Sequence, residues 1–443
     1  MLFNSIEFIL FLVTFFVSVI LFKNKFKLIV IIFSSIFYAY WSFKFLILLY
    51  LIIFLSHLLG NLIFKSKNKI YYLIFYTFVV VSLLIYFKYG EFFLQNLDNF
   101  SKIILPIGIS FYLFQSISYL IDIYRNRIEP TNLKNYFFFI IFFPQIISGP
   151  ILRAKQFIPQ IEKGYPVLSY NNFKKGILLI IWGYFLKTGL ADNAFIYTDR
   201  HLLSPLQSNS ITLLISIFFY GMQIYGDFFG YTLIAIGISK IFGLHIPANF
   251  NKPYGAKNFQ DFWKRWHISL SRFFRDYLYI PMGGNKILGG HLTVLIVMTI
   301  AGAWHGSSIF FIFWGFAHGT LIIIERFLPK IFVQSFFYRI LTIFLIFILW
   351  IPFKVNDLNT IINIFNQILI FEDVSAKKIM NKFLFAKILF FVSIVILTEL
   401  LIHKKELIKL KNSKYFSIVI SILLFITILL GNLNGQEFIY FRF

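Results

Sequence analysis

The sequence predicts an all-α, polytopic integral membrane protein. Of its 443 residues, 59% are hydrophobic and only 13% are charged. The mean hydropathy is +0.80, and apolar runs that approach the ~20 residues of a membrane-spanning helix recur along the whole chain. Backbone that crosses lipid must satisfy its own hydrogen bonds, and a helix does so within one segment.

The apolar runs are counted as spans or part-spans of one domain that covers residues 1–443. Several runs are shorter than a full crossing, so we expect roughly ten to thirteen transmembrane helices with re-entrant or interfacial helices between them. The first run is long and is followed at once by another, which argues against a removable signal peptide. The runs lie at 2–22, 28–41, 45–64, 70–87, 103–123, 136–151, 176–189, 211–242, 292–301, 309–324, 340–353, 383–402 and 415–430.

The formal net charge of +23 would suit a nucleic-acid partner, but its distribution predicts contact with membrane lipids and no nucleic acid. The basic residues collect in alternate connections, as expected for lysines and arginines retained on the cytoplasmic side. The connections that follow the first, third and fifth runs carry Lys23, Lys25, Lys27, Lys65, Lys67, Lys69, Arg125 and Arg127. A basic face on anionic lipid accounts for most of these residues.

The chain has no cysteine. This excludes disulfides, thiolate metal sites and a cysteinyl acyl intermediate.

One segment, 261–284, is unusually polar for this chain and reads DFWKRWHISLSRFFRDYLYIPMGG. Helical spacing would place Trp263, His267, Leu270 and Phe274 on one face. The segment has too many charges for a spanning helix and too many aromatic rings for a free loop, which favours an interfacial or re-entrant helix.

Two uses of this segment stay open. It could be a cationic mouth that holds a phosphorylated donor while His267 points inward. The mouth would then include Arg272, Arg275 and Asp276. The segment could instead be a basic amphipathic helix that rests on lipid headgroups.

A second histidine, His305, interrupts the apolar stretch 292–324 within the sequence Gly-Ala-Trp-His-Gly-Ser-Ser. The stretch is too long for one span and suits two, with the glycines 302 and 306 permitting a bend between them. Irregular backbone at membrane depth survives only in protein or beside a wet cavity, so His305 and the adjacent Trp304 are predicted to face a tunnel. A histidine that hydrogen-bonds between helices is the alternative.

Polar residues within two other apolar runs give weaker candidates. Tyr225 and Asp227 lie inside the run 211–242 and are predicted to face substrate or the tunnel, although a buried structural carboxylate remains possible for Asp227. Asp122 lies near the end of its run and is predicted to pair with Arg125.

Several motifs, in order along nearly the whole chain, resemble the membrane-bound O-acyltransferase superfamily. They are closest to its bacterial branch of alginate and peptidoglycan O-acetyltransferases. The motifs are MLFNSIEF, LPIGISFYLFQSISYLIDIYR, FPQIISGPILRAKQF, QIYGDFFGY, WHISLSRFFRDYLYIPMGG, AGAWHGSSIFFIFWGFAHG and the ending FIYFRF, with the core between residues 103 and 325. Arg442 stands in that ending where the family usually has a neutral polar residue.

The resemblance implies a helical fold around a central tunnel in the bacterial cytoplasmic membrane. His305 matches the family's principal catalytic histidine and His267 its second important histidine. The implied donor is acetyl-coenzyme A, used as a substrate without a bound cofactor, and the implied acceptor is an extracytoplasmic polysaccharide. A neutral imidazole takes a proton from an attacking hydroxyl at physiological pH. Because a thioester is already activated, no metal is required.

The resemblance also implies a separate extracytoplasmic partner of the SGNH-hydrolase type. The longest plausible external loops, 90–102 and 191–210, are too short to build a glycan-binding cleft. Two other functions stay open. One is D-alanyl transfer to teichoic acid, and the other is a proton-coupled transporter that uses His305 and Asp227 as relays.

Overall fold

The chain is helical throughout the part that the computed structural model describes, which contains no strand. That part comprises residues 1–94, 103–147, 149–164, 168–286, 288–370, 382–401, 416–432 and 436–439. The prediction of an all-α fold is therefore confirmed for these residues. Arg442 and positions 95–102 of the first predicted loop lie outside them. Most of the second predicted loop, 191–210, is helical.

The first nine helices precede a π-helical segment. They are α1 (Ile6–Leu21), α2 (Phe26–Ala39), α3 (Phe43–Lys65), α4 (Lys69–Leu94), α5 (Ile109–Tyr124), α6 (Leu133–Ile141), α7 (Phe143–Ile146), α8 (Ala154–Glu162) and α9 (Tyr170–Tyr184). The π-helix Phe185–Ala191 continues directly from α9.

Twelve further helices follow in the described residues. They are α10 (Asp192–Leu202), α11 (Ser210–Ile241), α12 (Phe259–Arg265), α13 (Ile268–Phe274), α14 (His291–His305), α15 (Ile309–Phe327), α16 (Lys330–Val333), α17 (Phe336–Leu349), α18 (Ile351–Lys354), α19 (Leu358–Ile370), α20 (Lys382–Leu401) and α21 (Phe416–Leu430).

Six of the described helices are long and apolar enough to cross a membrane, or up to seven if the bent pair Ile6–Leu21 and Lys23–Ala39 is one span. The protein is thus a multi-pass membrane protein, but the higher count of ten to thirteen is not confirmed. Much of the difference lies in short apolar helices such as α14, whose 15 residues rise ~22 Å, less than the ~30 Å of the hydrocarbon core.

The chain divides into two compact units, and the single domain expected from the sequence stays a prediction. Unit 1 comprises Met1–Ile177, Ala235–Ala248 and Arg275–Tyr277. Unit 2 comprises Leu178–Ile234, Asn249–Phe274 and Leu278–Phe443.

Unit 1 has a phenylalanine-rich core where α1 meets α7. The ring of Phe143 lies 5.1 Å from those of Phe11 and Phe15. Helix α5 is buried on nearly every side. The hydroxyl of Ser116 on this helix accepts a hydrogen bond from the hydroxyl of Tyr76 at 2.7 Å.

Unit 2 depends on glycines where its helices meet. A Cβ atom on Gly230 of α11 would lie 2.7 Å from the carbonyl oxygen of Gly183 on α9. The helices therefore approach as closely as their backbones allow, a kind of contact that small residues provide in membrane proteins.

Candidate active site

The backbone at His267 breaks the segment that the sequence predicted as one helix. Helix α12 ends at Arg265, Trp266 is extended with φ −96° and ψ 132°, and His267 has φ +42°. The left-handed region is uncommon for a residue with a side chain and is often found at functional sites. The prediction that 261–284 is one continuous helix, with His267 on a face shared with Trp263, is therefore wrong.

Asn249 holds this break in place from outside the segment. Its carbonyl oxygen accepts from the N–H of Ile268 at 2.9 Å. Its side-chain Oδ1 accepts from the N–H and hydroxyl of Ser269, at 3.0 and 2.9 Å. These bonds supply partners to the orphan donors at the start of α13.

The same oxygen fixes the tautomer of His267. Nδ1 of the ring lies 3.3 Å from Oδ1 of Asn249. Because that oxygen only accepts, Nδ1 carries the proton and Nε2 has the lone pair. Nε2 is buried and has no hydrogen-bond partner among the described residues. Burial lowers the pKa of His267 to about 3, so the ring is neutral at physiological pH and is a weak base at Nε2.

His305 is the last residue of α14, where the predicted interruption occurs. The helix ends because Gly306 is extended, with φ −175° and ψ 176°. The His305 side chain is buried in a cage of aromatic rings. Its centroid lies 5.3 Å from Trp314 and 5.1 Å from Phe353, both edge-on. The bend follows His305 instead of beginning at Gly302.

Trp304 is in contact with both histidines. Its ring centroid lies 6.2 Å from that of His267 and 5.0 Å from that of His305. The structure thus brings together three of the predicted site residues, all in unit 2. Trp314 extends the row to His318, at 4.7 Å. His318 was not among the predicted site residues.

Gly302 sets the position of α14 against α15. A Cβ atom on Gly302 would lie 2.2 Å from the carbonyl oxygen of Phe311 and 3.0 Å from the Cα of Gly315. This close approach fixes where α14 ends and hence where His305 lies.

We expect Gly302→Ala to lower the thermal stability of the purified protein, because the added methyl group meets backbone and forces the helices apart. Overpacking of this kind costs typically 1–3 kcal/mol. The matched control is Gly255→Ala, whose new methyl group would meet nothing closer than 3.9 Å. Equal unfolding temperatures for the two variants would contradict the close contact.

Tyr225 and Asp227, predicted to face substrate or the tunnel, have different surroundings on α11. The hydroxyl of Tyr225 donates to the carboxylate of Glu399. Tyr225 and Phe229 line a mostly apolar cavity of about 400 Å³ in unit 2. Asp227 is buried and lies 2.7 Å from the ammonium of Lys187. Its role as a substrate ligand stays a prediction.

The predicted charged residues of the 261–284 segment belong to different units of the chain. Arg272 lies in unit 2, and Arg275 and Asp276 lie in unit 1. Arg272 and Arg275 are both exposed. The carboxylate of Asp276 lies 2.7 Å from Arg275 and 2.6 Å from Arg153.

Arg125 adds a third arginine to this cluster, because it donates to the Asp276 carbonyl oxygen at 3.1 Å. Burial alone would raise the pKa of the Asp276 carboxyl, but hydrogen bonds from Arg275 and Arg153 outweigh it and lower that pKa. Asp276 is thus ionised, and the arginines around it leave a net positive charge.

The predicted pair between Asp122 and Arg125 is wrong. Asp122 lies 3.4 Å from Arg127 and accepts from the hydroxyl of Tyr277 at 2.9 Å. Arg125 directly follows the last residue of α5 as its C-cap. Its side chain donates to the backbone carbonyl oxygen of Asp276 and not to Asp122.

Four residues of these clusters were not among the predicted site residues: Asn249, Lys187, Arg125 and Arg153. Lys187 was detectable, since a lone lysine in the apolar run 176–189 is a functional signal in itself. Asn249 carries no comparable signal, because an asparagine in a polar loop is ordinary.

Gln145 was also not among the predicted site residues. It is fully buried, and neither its Oε1 nor its Nε2 has a hydrogen-bond partner among the described residues.

Comparison with known proteins decides the family. Residues 38–353 match the profile of the membrane-bound O-acyltransferase family. The chain belongs to that family. Its two predicted histidine motifs both fall within the matched residues.

Individual relatives within the membrane-bound O-acyltransferase family have related activities in their names. The chain is 36% identical to a peptidoglycan O-acetyltransferase of Helicobacter pylori over 68% of its own length and 64% of that protein's length. It is 33% identical to a probable alginate O-acetylase of Pseudomonas aeruginosa, over 75% of this chain and 67% of the relative. It is 32% identical to a teichoic acid D-alanyltransferase of Bacillus subtilis, over 51% of this chain and 60% of the relative. The alignment thus covers less than two thirds of the Helicobacter pylori relative.

Proposed function

We propose that this chain is a membrane O-acetyltransferase that moves acetyl groups from cytosolic acetyl-coenzyme A across the bacterial cytoplasmic membrane for O-acetylation of an extracytoplasmic polysaccharide. The observation that carries the proposal is the row of His267, Trp304 and His305 within a chain of this family. Peptidoglycan or an alginate-like exopolysaccharide is the proposed acceptor class, in keeping with the two acetyltransferase relatives.

In the proposed reaction His305 is the general base. An acceptor hydroxyl loses its proton to the imidazole while its oxygen attacks the thioester carbonyl carbon. The carbon–sulfur bond then breaks, the acetyl group remains on the oxygen as an ester, and the leaving thiolate takes the proton. An imidazole is suited to this task because one ring nitrogen can accept the proton and return it to the leaving group.

His267 is given a different role by its surroundings. A ring whose pKa is about 3 accepts a full proton poorly at neutral pH, since efficient bases titrate near the working pH. Its Nε2 lone pair is directed by Asn249 and is suited to accept a hydrogen bond from a substrate group. We therefore assign His267 to orientation of substrate.

The arginine cluster of unit 1 is the proposed site for the donor's phosphates. Arginines bind phosphate oxygens through paired, charge-assisted hydrogen bonds. Arg275 is the best placed of them, because its side chain is 61% exposed and remains accessible although it pairs with Asp276. Arg272 is a second candidate in unit 2.

Arg275→Gln is expected to raise the KM for acetyl-coenzyme A by ~10-fold or more with little change in kcat, since one charge-assisted contact contributes ~1.5–3 kcal/mol. Steady-state kinetics with varied donor measure this. Lys286→Gln is the control, because Lys286 is an exposed basic residue just after the 261–284 segment in the sequence. An unchanged KM in Arg275→Gln, Arg272→Gln and the double variant would show that these arginines do not bind the donor's phosphates. Contact with lipid headgroups would then be the remaining explanation for them.

A separate extracytoplasmic transferase, of the SGNH-hydrolase type, is the proposed partner that passes the acetyl group to the polymer. The purified chain in vesicles, supplied with acetyl-coenzyme A and isolated glycan, tests this division of labour. Acetylated glycan should accumulate only when the partner is added. Efficient acetylation without it would make this chain the terminal transferase.

D-alanyl transfer is the second candidate, because one relative is named for it. The same vesicles distinguish the two functions when the donor is exchanged. Turnover of a D-alanyl carrier-protein thioester, with none of acetyl-coenzyme A, would replace acetyl transfer by D-alanyl transfer.

A further inference from the structure

Unit 2 contains a buried cluster of three charged side chains that the proposed reaction does not use. Lys187 lies 2.7 Å from Asp192 and 2.7 Å from Asp227, and each of the three side chains is at most 4% exposed. One positive and two negative charges leave a formal charge of −1 in the interior. Buried charge of this kind is costly unless every group has partners.

The missing partners come from the backbone of segment 436–439. The N–H of Ile439 donates to Oδ2 of Asp227 at 2.6 Å. The ammonium of Lys187 donates to the carbonyl oxygen of Glu437 at 3.5 Å. A lysine has three donors, and here they are directed at Asp192, Asp227 and Glu437.

The ion cluster and the segment therefore fit one another. The cluster offers a donor to the carbonyl oxygen of residue 437 and an acceptor to the N–H of residue 439. Only about 10 Å³ of free space remains between them, room for no more than one water molecule. A small-molecule ligand has no place in this site.

The chain before the segment is attached to the same region. The N–H of Asn432 donates to the carbonyl oxygen of Thr188 in the π-helix at 2.9 Å. Asn193 donates to the carbonyl oxygen of Leu430 at 3.2 Å. The π-helix and the start of α10 thus bind two stretches of this part of the chain.

Phe438 lies between the two hydrogen-bonded backbone groups of the segment, the carbonyl of Glu437 and the N–H of Ile439. Its side chain packs against α11. The ring of Phe438 lies 4.5 Å from that of Tyr231 and 6.0 Å from that of Phe228. Phe228 in turn lies 4.7 Å from His267, edge to face. A contact path therefore runs from the ion cluster through Phe438 and Phe228 to the second site histidine.

We propose that Asp227 and Lys187, which form an ion cluster with Asp192, act as a clamp that holds segment 436–439 against α11 and thereby positions His267 for acyl transfer. The inference rests on the proposed function for its last step. In this proposal Asp227 and Lys187 are positioning residues, because they act on His267 through the segment.

Cysteine labelling tests the clamp, since the chain has no cysteine of its own. In a Gln436→Cys parent, we compare the rate of maleimide labelling after Asp227→Leu and after Asp192→Leu. Both changes remove one buried carboxylate and leave Lys187 with the other, but only Asp227 holds Ile439. We expect labelling to accelerate ~10-fold or more in Asp227→Leu, because this variant loses one charge-assisted bond to the segment. In Asp192→Leu the labelling rate should stay near that of the parent.

A second variant removes the same bond without changing the buried charges. Ile439→Pro has no N–H to donate to Asp227 and should also accelerate labelling, even where Asp227→Leu fails to fold. Asp227→Leu and Ile439→Pro should also have a lower kcat for acyl transfer than the parent, because His267 is misplaced. The KM for the donor should stay within about twofold of the parent value.

Two results would overturn the clamp. Labelling at the parent rate in both Asp227→Leu and Ile439→Pro, or an equal acceleration in Asp192→Leu, would show that the bond from Ile439 to Asp227 does not hold the segment. Faster labelling with an unchanged kcat would show that the segment does not position His267. Failure of the proposed function is distinguishable, because the Gln436→Cys parent itself would then lack acyl transfer while its labelling rate remained measurable.

Discussion

His305→Ala is expected to lose nearly all acetyl transfer while the protein remains folded in the membrane. Loss of a general base typically costs ~10²–10⁴-fold in rate. The His305 ring packs against Trp304, Trp314 and Phe353, so the truncation also leaves a cavity. His305→Gln, which fills more of that space, should be as inactive as His305→Ala and more stable.

The measurement is kcat/KM for acetyl-coenzyme A together with membrane abundance and unfolding temperature. His291→Ala is the control, because His291 is the first residue of the same helix and its ring packs on Phe327 at 4.9 Å. A His305→Gln protein with near-normal turnover would show that His305 only packs between helices.

His267→Ala is expected to be the second most damaging change, with residual turnover, because an orienting group contributes less than the base. The left-handed backbone at His267 offers a way to separate packing from chemistry. Glycine adopts φ +42° without strain, so His267→Gly removes the imidazole while relieving the backbone. His267→Gly should therefore be at least as stable as His267→Ala and equally impaired in turnover.

Asn249→Ala should act in the same direction as His267→Ala, since it removes the oxygen that fixes the tautomer. Because the two residues act as a unit, the double variant should be little worse than His267→Ala. Fully additive losses, or wild-type turnover in His267→Gly, would remove His267 from the site.

The sequence predicted the features that depend on local composition. The helical class follows from the apolar runs, and the interruption near His305 follows from the flanking glycines. The family follows from motifs spread along the chain. These predictions needed no knowledge of which residues meet in space.

Features that depend on distant partners were not predicted. The helix breaks at His267 because Asn249, 18 positions earlier, supplies the hydrogen bonds that hold a left-handed residue. Asp122 pairs with Arg127 because Arg125 is used by the backbone of Asp276. Asp227 belongs to an ion cluster because Lys187, forty positions earlier, reaches it. Periodicity and spacing within one segment contain no information on such pairs.

If this chain transfers an acyl group from a thioester, thioester cleavage and acetylation must be coupled, and both can be measured in one assay. The purified protein in vesicles is supplied with acetyl-coenzyme A, acceptor glycan and the partner transferase. Free thiol is then measured against ester formed. Because the chain has no cysteine, it contributes no thiol of its own. We expect one thiol to be released per acetyl ester formed, and both products to be lost in His305→Ala. Proton flux across the vesicle membrane without thioester cleavage would contradict it and favour a transporter.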